Sequence, residues 1–180
     1  MAGTRKKRSE LVEEIVGQLA RRHSTAAVLF HHVVAERLGL GPTDHKCLDL
    51  VREHGAMTGS ELVAITGLTS GAVTGVVARL EAAGFLRREP DRSDGRKQIL
   101  RPVVERASEI HDVLAPVRRD LMVLLDSFDS NQLTAVAAFL AHATAAVHRQ
   151  MAMLRGQKLL AAPRPERTRA NRGSARKVSR

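Results

Sequence analysis

Residues 58–101, TGSELVAITGLTSGAVTGVVARLEAAGFLRREPDRSDGRKQILR, limit the possible folds more than any other part of the chain. Thr58 followed by Glu61 is a capping-box sequence, which predicts that a helix begins there. Thr69 is placed to cap a second helix and Gly84 to end it. Apolar residues of this second helix recur at i, i+3, i+4 and i+7: Val73, Val76, Val77 and Leu80. Two short helices joined by a turn that contains glycine predict a helix-turn-helix.

Two short strands are predicted directly after the second helix. FLRRE (85–89) and RKQILR (96–101) flank PDRSDG (90–95), which is rich in turn residues. A helix-turn-helix followed by such a hairpin is a winged helix. A wing lies along a DNA backbone or enters a minor groove, where cations are attracted. The sequence therefore predicts a mainly α fold, a winged helix-turn-helix with a small β-hairpin wing.

The turn of the wing carries more charge than a hairpin needs. Arg92, Arg96 and Lys97 are the cations placed to contact DNA. Asp94 can hold Arg96 in a fixed orientation, because Arg–carboxylate pairs can be bidentate. Asp91 can cap the turn by accepting hydrogen bonds from nearby backbone amides. The alternative is a solvated turn whose ion pairs are incidental.

The outward face of the second helix is built mainly from small side chains. Its residues are Ser70, Gly71, Thr74, Gly75, Ala78 and Arg79. Such a face allows close approach of the helix backbone to another surface, and the major groove of DNA admits a helix of this kind. A small-residue helix packed on a neighbouring helix is the alternative.

Long helices are predicted on both sides of the winged helix. Apolar periodicity and turn residues indicate helices at 10–38, 43–54, 105–128 and 131–154. Thr43 is the expected N-cap of the second of these helices, and Ser130 is the expected N-cap of the last. Pro116 should kink the third helix, or stop and restart it.

The outer helices have more apolar surface than one small domain can bury, which predicts an intertwined homodimer interface. A monomeric cap on the winged helix is the alternative.

The predicted domains are a basic disordered N-terminus (1–9), N-terminal dimerisation helices (10–42), the DNA-binding domain (43–102), C-terminal dimerisation helices (103–154) and a basic disordered tail (155–180).

Composition excludes several classes of protein. Aromatic residues make up 2% of the chain, which leaves few platforms for stacking single-stranded bases. A secretory signal and a membrane-spanning segment are not predicted, so we expect a soluble protein without membrane partners, located in the cytoplasm and associated with the nucleoid. Nucleophile elbows, phosphate-binding glycine loops, paired carboxylate sites and cofactor fingerprints are missing, so neither an enzyme nor a cofactor is expected.

The net charge of +10 is concentrated at the two ends of the sequence. Residues 1–8 hold four basic residues and 155–180 a net charge of +8, which leaves −2 for 9–154. The tail at 155–180 could add salt-dependent DNA affinity or serve only solubility. This distribution keeps open an architectural, non-specific DNA-binding protein that acts through its tails. The near-neutral body also permits a winged helix used for protein contacts.

The segments GLGPTDHKCLDLVREHG and SGAVTGVVARLEAAGFLRRE…DRSDGR resemble the MarR family of bacterial transcriptional regulators. The resemblance covers residues 10–153 and follows the family's order of elements. It implies a homodimeric regulator, most simply a repressor, that binds a (pseudo)palindromic operator in double-stranded DNA and is released by a small-molecule effector. The sequence departs from the family where Ser70, Gly75 and Ser93 replace basic or amide side chains, and at Arg101-Pro102.

The resemblance also implies roles for individual residues. Thr69, Ser70, Gly71 and Thr74 would face bases or nearby phosphates. Arg79 would reach the DNA backbone or brace the wing. Asp94 would orient Arg96, which would enter the minor groove, and Arg92 could substitute for an arginine missing at Ser93.

Five residues are candidates to line an effector pocket: Arg22, His23, His31, His32 and His45. The alternative is that these are surface or interface residues.

Because adjacent His31 and His32 point away from each other on a helix, and histidine pairs at i, i+4 spacing are lacking, no metal site is predicted. Cys47 lies in an apolar stripe, so a buried structural thiol is favoured over a peroxide sensor.

Overall fold

The computed structural model describes residues 7–91, 93–95 and 97–161, with the side chains of 157–161 excepted. The chain divides into two compact units, Met1–Phe128 and Asp129–Arg180. The helices are α1 (Arg8–Glu14), a π-helical turn (Ile15–Leu19), α2 (Ala20–Arg37), α3 (Pro42–His54), α4 (Gly59–Thr66), α5 (Ser70–Ala82), a 3₁₀ turn (Val104–Arg106), α6 (Ala107–Leu125) and α7 (Ser130–Ala161). The strands are β1 (Met57–Thr58), β2 (Leu86–Pro90) and β3 (Gln98–Pro102). The predicted fold class, a mainly α winged helix-turn-helix between long helices, is confirmed.

The first long helix is interrupted by the π-helical turn and ends at Arg37, one residue before the predicted end. Gly39 follows with φ 69°, a left-handed conformation that glycine adopts without steric cost. The next helix begins differently from the prediction. Gly41 is the N-cap of α3 and Pro42 its first residue, so the assignment of Thr43 as cap is wrong. Proline is favoured at this position because its missing N–H would have no partner there.

The helix-turn-helix forms as the capping residues predicted. The Thr58 hydroxyl accepts a hydrogen bond from the Glu61 amide at 3.2 Å, and the Glu61 carboxylate accepts one from the Thr58 amide at 2.6 Å. Thr69 caps α5 by accepting from the Ala72 amide at 3.2 Å. Gly67, with φ 72°, ends α4 in the left-handed conformation, so the turn between the two helices is sharp.

The wing contains a third strand that was not predicted. The sheet order is β1-β3-β2 and both pairs are antiparallel. The two residues of β1, Met57 and Thr58, pair with Leu100 and Ile99. A two-residue strand has too short an alternation pattern to be recognised in sequence. Its pairing ties the start of α4 to the wing.

One apolar core joins α3, α4, α5 and the sheet. Leu62 and Leu80 are 0% exposed and Phe85 is 1% exposed. The Arg106 guanidinium lies 4.3 Å from the centre of the Phe85 ring, a distance at which a cation–π attraction acts. The four apolar positions that periodicity predicted for α5 are all buried: Val73, Val76, Val77 and Leu80.

The last two helices test two predictions. Pro116 lies inside α6, which continues from Ala107 to Leu125, so of its two predicted effects the stop and restart does not occur. Asp129, not Ser130, caps α7, since its carboxylate accepts hydrogen bonds from the backbone amides of Asn131 at 2.8 Å and Gln132 at 2.9 Å. A carboxylate at this position also interacts favourably with the positive end of the helix.

Parts of both predicted tails are helical. Helix α1 begins at Arg8, and α7 extends to Ala161 because GQKLLA (156–161) contains mainly good helix formers. The remainder of the predicted disorder, at 1–6 and 162–180, lies outside the described residues. Within the described residues no single helix is long and apolar enough to cross a membrane. Only α4 and α5 together reach that length and hydropathy, and they are bent by 117°.

Candidate nucleic-acid interface

The N-terminal turn of α5 brings four of the predicted DNA-binding residues together. Thr69, Ser70, Gly71 and Thr74 are all exposed. The Thr74 hydroxyl donates to the Ser70 carbonyl at 2.9 Å, which satisfies it within the helix and leaves an oxygen able to accept. Free backbone N–H groups and the helix dipole make a helix N-terminus favourable for phosphate. The small side chains allow that end to approach an anion closely.

A cleft of about 610 Å³ separates this turn from the wing. Ser70 and Thr74 of α5 line one side, and Lys97 and Gln98 of the wing line the other. Glu61 is the acidic residue of the cleft, and hydrogen bonds from the backbone amide and hydroxyl of Thr58 hold its pKa below the ordinary value. Because that carboxylate is engaged in helix capping, the cleft offers Lys97 and hydroxyl groups to a polyanion.

The turn of the wing is organised by Asp91, as predicted. One of its carboxylate oxygens accepts hydrogen bonds from the Ser93 amide at 2.7 Å, the Asp94 amide at 2.9 Å and the Ser93 hydroxyl. These bonds, with the Ser93 hydroxyl contributing most, lower the pKa of Asp91. Lys97 lies 3.8 Å from the Asp94 carboxylate, and its side chain is 64% exposed. Asp91 therefore shapes the turn and leaves Lys97 on its surface.

Two central predictions about the wing are not tested by the structure. Arg92 and Arg96 lie outside the described residues, and so does the proposed pairing of Asp94 with Arg96. Their roles in DNA binding stay predictions.

Arg79 binds a residue of α3, and the two roles expected for it, at the DNA backbone or at the wing, stay predictions. Its Nε donates to Asp44 Oδ2 at 2.8 Å and a terminal nitrogen donates to Asp44 Oδ1 at 2.7 Å. The Asp44 side chain is 7% exposed and that of Arg79 is 60% exposed. This bidentate pair, with the Asp44 hydrogen bond as the main cause, raises the pKa of Arg79. Helix α5 is thereby linked to α3 by residues 35 positions apart, a pairing that local patterns do not reveal.

The arginines on the strands of the wing are also paired. Glu89 forms an ion pair with Arg87 at 2.8 Å and accepts a hydrogen bond from Arg101 of the adjacent strand at 2.8 Å. Arg88 of β2 lies 3.0 Å from Glu81 at the end of α5. These ion pairs reduce the net positive charge of the wing. The Arg88–Glu81 pair connects the wing to α5.

The candidate effector residues separate into two groups. Arg22, His23 and His32 are exposed on α2. His32 lines a groove of about 370 Å³ between α2, α3 and α4, together with Pro42, Thr43, Lys46, Cys47, Thr66 and Leu68. His31 and His45 instead come together at the contact between α2 and α3, where their ring centres are 5.4 Å apart. The five candidates therefore do not line one common pocket.

Cys47 is 1% exposed, as expected for a structural thiol. Burial is the main cause that raises the pKa of its thiol, with a further contribution from Asp44. A raised pKa keeps the thiol protonated at neutral pH and lowers its reactivity towards oxidants. The peroxide-sensing alternative is therefore disfavoured.

The chain is similar to known proteins over the region that contains the candidate interface. The model of the MarR family matches residues 38–97. YcgE, an uncharacterized HTH-type transcriptional regulator of Bacillus subtilis (strain 168), is 38% identical over 152 residues, which cover 84% of this chain and 98% of YcgE. Two solved structures share the fold. A MarR protein from Peptoclostridium difficile has a TM-score of 0.56 at 17% identity, covering 85% of this chain and 99% of its own. Wild-type MarR from E. coli (apo form) has a TM-score of 0.52 at 20% identity, covering 71% of this chain and 94% of its own.

Proposed function

Because the chain belongs to the MarR family of DNA-binding transcriptional regulators, we propose that it is a homodimeric repressor of a (pseudo)palindromic operator. The observation that best supports this proposal is that the exposed N-terminal turn of α5 faces Lys97 across the cleft. In this proposal, α5 enters the major groove and the wing contacts the adjacent backbone or minor groove. A regulator of this kind needs no catalytic group.

Dimerisation is supported by apolar side chains that remain exposed on the outer helices. Val16 and Leu29 in the N-terminal helices are 68% and 61% exposed, and Val123 in α6 is 67% exposed. In α7, Phe139 and Leu140 are 50% and 53% exposed. Apolar surface on this scale is typical of faces that associate with another chain. A second copy of the chain would bury it and would place two α5 helices at a spacing set by the two-fold axis.

Release by a small molecule is the last part of the proposal. The groove beside His32 and Lys46 has a volume within the range of small-ligand sites and offers a cation to an anionic compound. A compound bound there would reach α2, α3 and α4 at once. It would lower DNA affinity by favouring a conformation in which the two α5 helices no longer match the operator.

The decisive experiment measures binding to the DNA upstream of the protein's own gene against scrambled DNA of equal length. Ser70→Glu places a negative charge where a phosphate is expected, so the preference for the upstream DNA should fall at least about tenfold. Asn131→Glu is the matched control, because it adds the same charge in the first turn of α7. Arg96→Ala tests the wing in the same assay. Equal loss in both glutamate variants would reject α5 as the contact.

The main alternative, an architectural protein that binds through its tails, is supported by the concentration of positive charge at 1–8 and 155–180. Deleting residues 155–180 distinguishes the two functions. A repressor should keep its sequence preference without the tail. An architectural protein should lose nearly all DNA affinity, and the affinity of its intact form should fall steeply with salt on any DNA.

A further inference from the structure

Three potential metal ligands converge where α2 packs against α3. His31 comes from α2, while His45 and Asp49 lie one helical turn apart on α3. His45 Nδ1 is 3.3 Å from Asp49 Oδ2, and His31 Nδ1 is 3.8 Å from the same oxygen. One ligand atom from each of the three residues lies within 4.8 Å of the other two. This cluster of His31, His45 and Asp49 is called the His-Asp cluster below.

Three of the four imidazole nitrogens of the cluster lack hydrogen bonds to the described residues. Both ring nitrogens of His45 and Nδ1 of His31 are buried, and none has a hydrogen-bond partner among the described residues. His45 is 1% exposed, so its nitrogens are also shielded from water. A buried polar atom without a hydrogen-bond partner is energetically unfavourable, and such atoms in a folded protein call for an explanation. A bound cation would supply the missing partner.

We propose that His31, His45 and Asp49 bind one divalent transition-metal ion, with Zn²⁺ as the best-fitting member of that class. Zinc bonds of about 2.0–2.1 Å in a tetrahedron place neighbouring ligand atoms roughly 3.3–3.4 Å apart. The His45–Asp49 separation already has that value, and the His31–Asp49 separation exceeds it by a few tenths of an ångström. Two imidazoles and a carboxylate favour zinc over Mg²⁺ and Ca²⁺, which prefer oxygen ligands.

The protonation state of the two rings is compatible with this site. Burial is the main cause that lowers the pKa of both His31 and His45 below the ordinary 6.5. Asp49 opposes this effect at both rings without reversing it. Burial therefore favours the neutral form of both rings, and neutral imidazole is the form that binds metal. Three protein ligands leave the fourth zinc position for water or an anion.

The Lys46 ammonium group competes with a metal ion for the Asp49 carboxylate. Its Nζ lies 3.7 Å from the same Asp49 oxygen, and its side chain is 50% exposed. An ammonium group beside the carboxylate weakens the attraction for a cation, so Lys46 must turn towards solvent when the metal binds. The proposal therefore predicts that Lys46→Gln binds zinc more tightly than the wild type, an effect that an unrelated surface site would not show.

A metal at the cluster would connect α2 to α3 next to the Asp44–Arg79 pair that holds α5. Asp44 and His45 are neighbours in sequence, so the metal and the α5 contact would act on the same turn of α3. This site is independent of the proposed repressor function, because it rests only on the geometry of α2 and α3.

The test titrates ZnCl₂ into the untagged, EDTA-treated full-length protein in competition with a chromophoric chelator at pH 7.5. The proposal expects one tight site per chain that MgCl₂ in large excess does not occupy. His31→Gln and Asp49→Asn should each weaken zinc binding by at least about a hundredfold, since even residues that only support metal ligands contribute about 10–100-fold. His32→Gln is the matched control, because it removes a neighbouring histidine of α2 outside the cluster.

The results of this titration either support or overturn the zinc site. Loss of at least about a hundredfold in both cluster variants, with wild-type affinity in His32→Gln and tighter binding in Lys46→Gln, supports the site. Wild-type affinity in either cluster variant, or lack of a tight site, overturns it. Both substituted side chains are about 30% exposed, and circular dichroism verifies that each variant is folded. Visible absorption of the Co²⁺-substituted protein gives a second readout, since it should change in the cluster variants and not in His32→Gln.

Discussion

The winged helix and the outer helices differ in how completely they bury their apolar side chains. In the winged helix, Phe85 is 1% exposed and Leu80 0%, and the core is complete within one chain. In the outer helices, side chains of the same type remain exposed: Phe139 is 50% exposed and Leu124 is 56% exposed. The same hydrophobic effect therefore acts within the chain in one region, and in the other it favours association with a partner. A substitution should affect stability in the first region and assembly in the second.

The largest effect is expected for Phe85→Ala. Removal of this ring leaves a cavity in the core and removes the contact with the Arg106 guanidinium. Phe→Ala substitutions at buried positions cost about 3–5 kcal/mol of unfolding free energy. Urea denaturation should show this loss at every protein concentration. A loss that disappears at high protein concentration would instead place Phe85 in an interface.

The same substitution at a half-exposed ring, Phe139→Ala, should act on assembly. The dissociation constant of the dimer should rise at least about tenfold, because an apolar side chain buried in an interface contributes about 1.5–3 kcal/mol and the two-fold axis uses it twice. Sedimentation equilibrium measures this change. Val104→Ala is the matched control, since Val104 is 72% exposed outside the long helices. A dimer unaffected by Phe139→Ala would remove Phe139 from the interface.

A smaller effect is expected for Thr58→Ala, which tests the local capping that starts α4. Loss of an N-cap hydroxyl costs about 1 kcal/mol of unfolding free energy. The Thr58 backbone amide and hydroxyl lower the pKa of Glu61 in the folded state below its ordinary 4.5. The resulting stabilisation is present above pH 4.5 and is lost as the pH falls through the lowered folded-state pKa.

Thermal denaturation as a function of pH measures this contribution. The wild type should lose more stability than Thr58→Ala as the pH falls below 4.5, because the variant keeps only the backbone part of the capping box. Parallel pH profiles for the two proteins would mean that the Thr58 hydroxyl does not contribute to the shift. Thr25→Ala is a suitable control, since the Thr25 hydroxyl bonds a carbonyl within its own helix.

Local sequence determined the elements whose interactions span a few residues. The caps at Thr58 and Thr69, the buried face of α5 and the turn organised by Asp91 could all be predicted, because each joins groups at most seven positions apart. At two helix starts the predicted cap was wrong: Gly41 and not Thr43 caps α3, and Asp129 and not Ser130 caps α7. Capping preferences are too similar to fix the first residue of a helix from sequence, since Asp and Ser are about equally favoured, as are Thr and Gly.

Only the tertiary structure decided which distant side chains meet. The Asp44–Arg79 pair joins α3 to α5, and the His-Asp cluster joins α2 to α3. The spacing of histidines within one helix does not reveal this cluster, because His31 lies on α2 and the residue that accompanies His45 on α3 is the aspartate Asp49. The short strand β1 likewise exists only through its pairing with β3. Propensity and periodicity describe neighbours along the chain, whereas these contacts depend on how whole helices and strands pack.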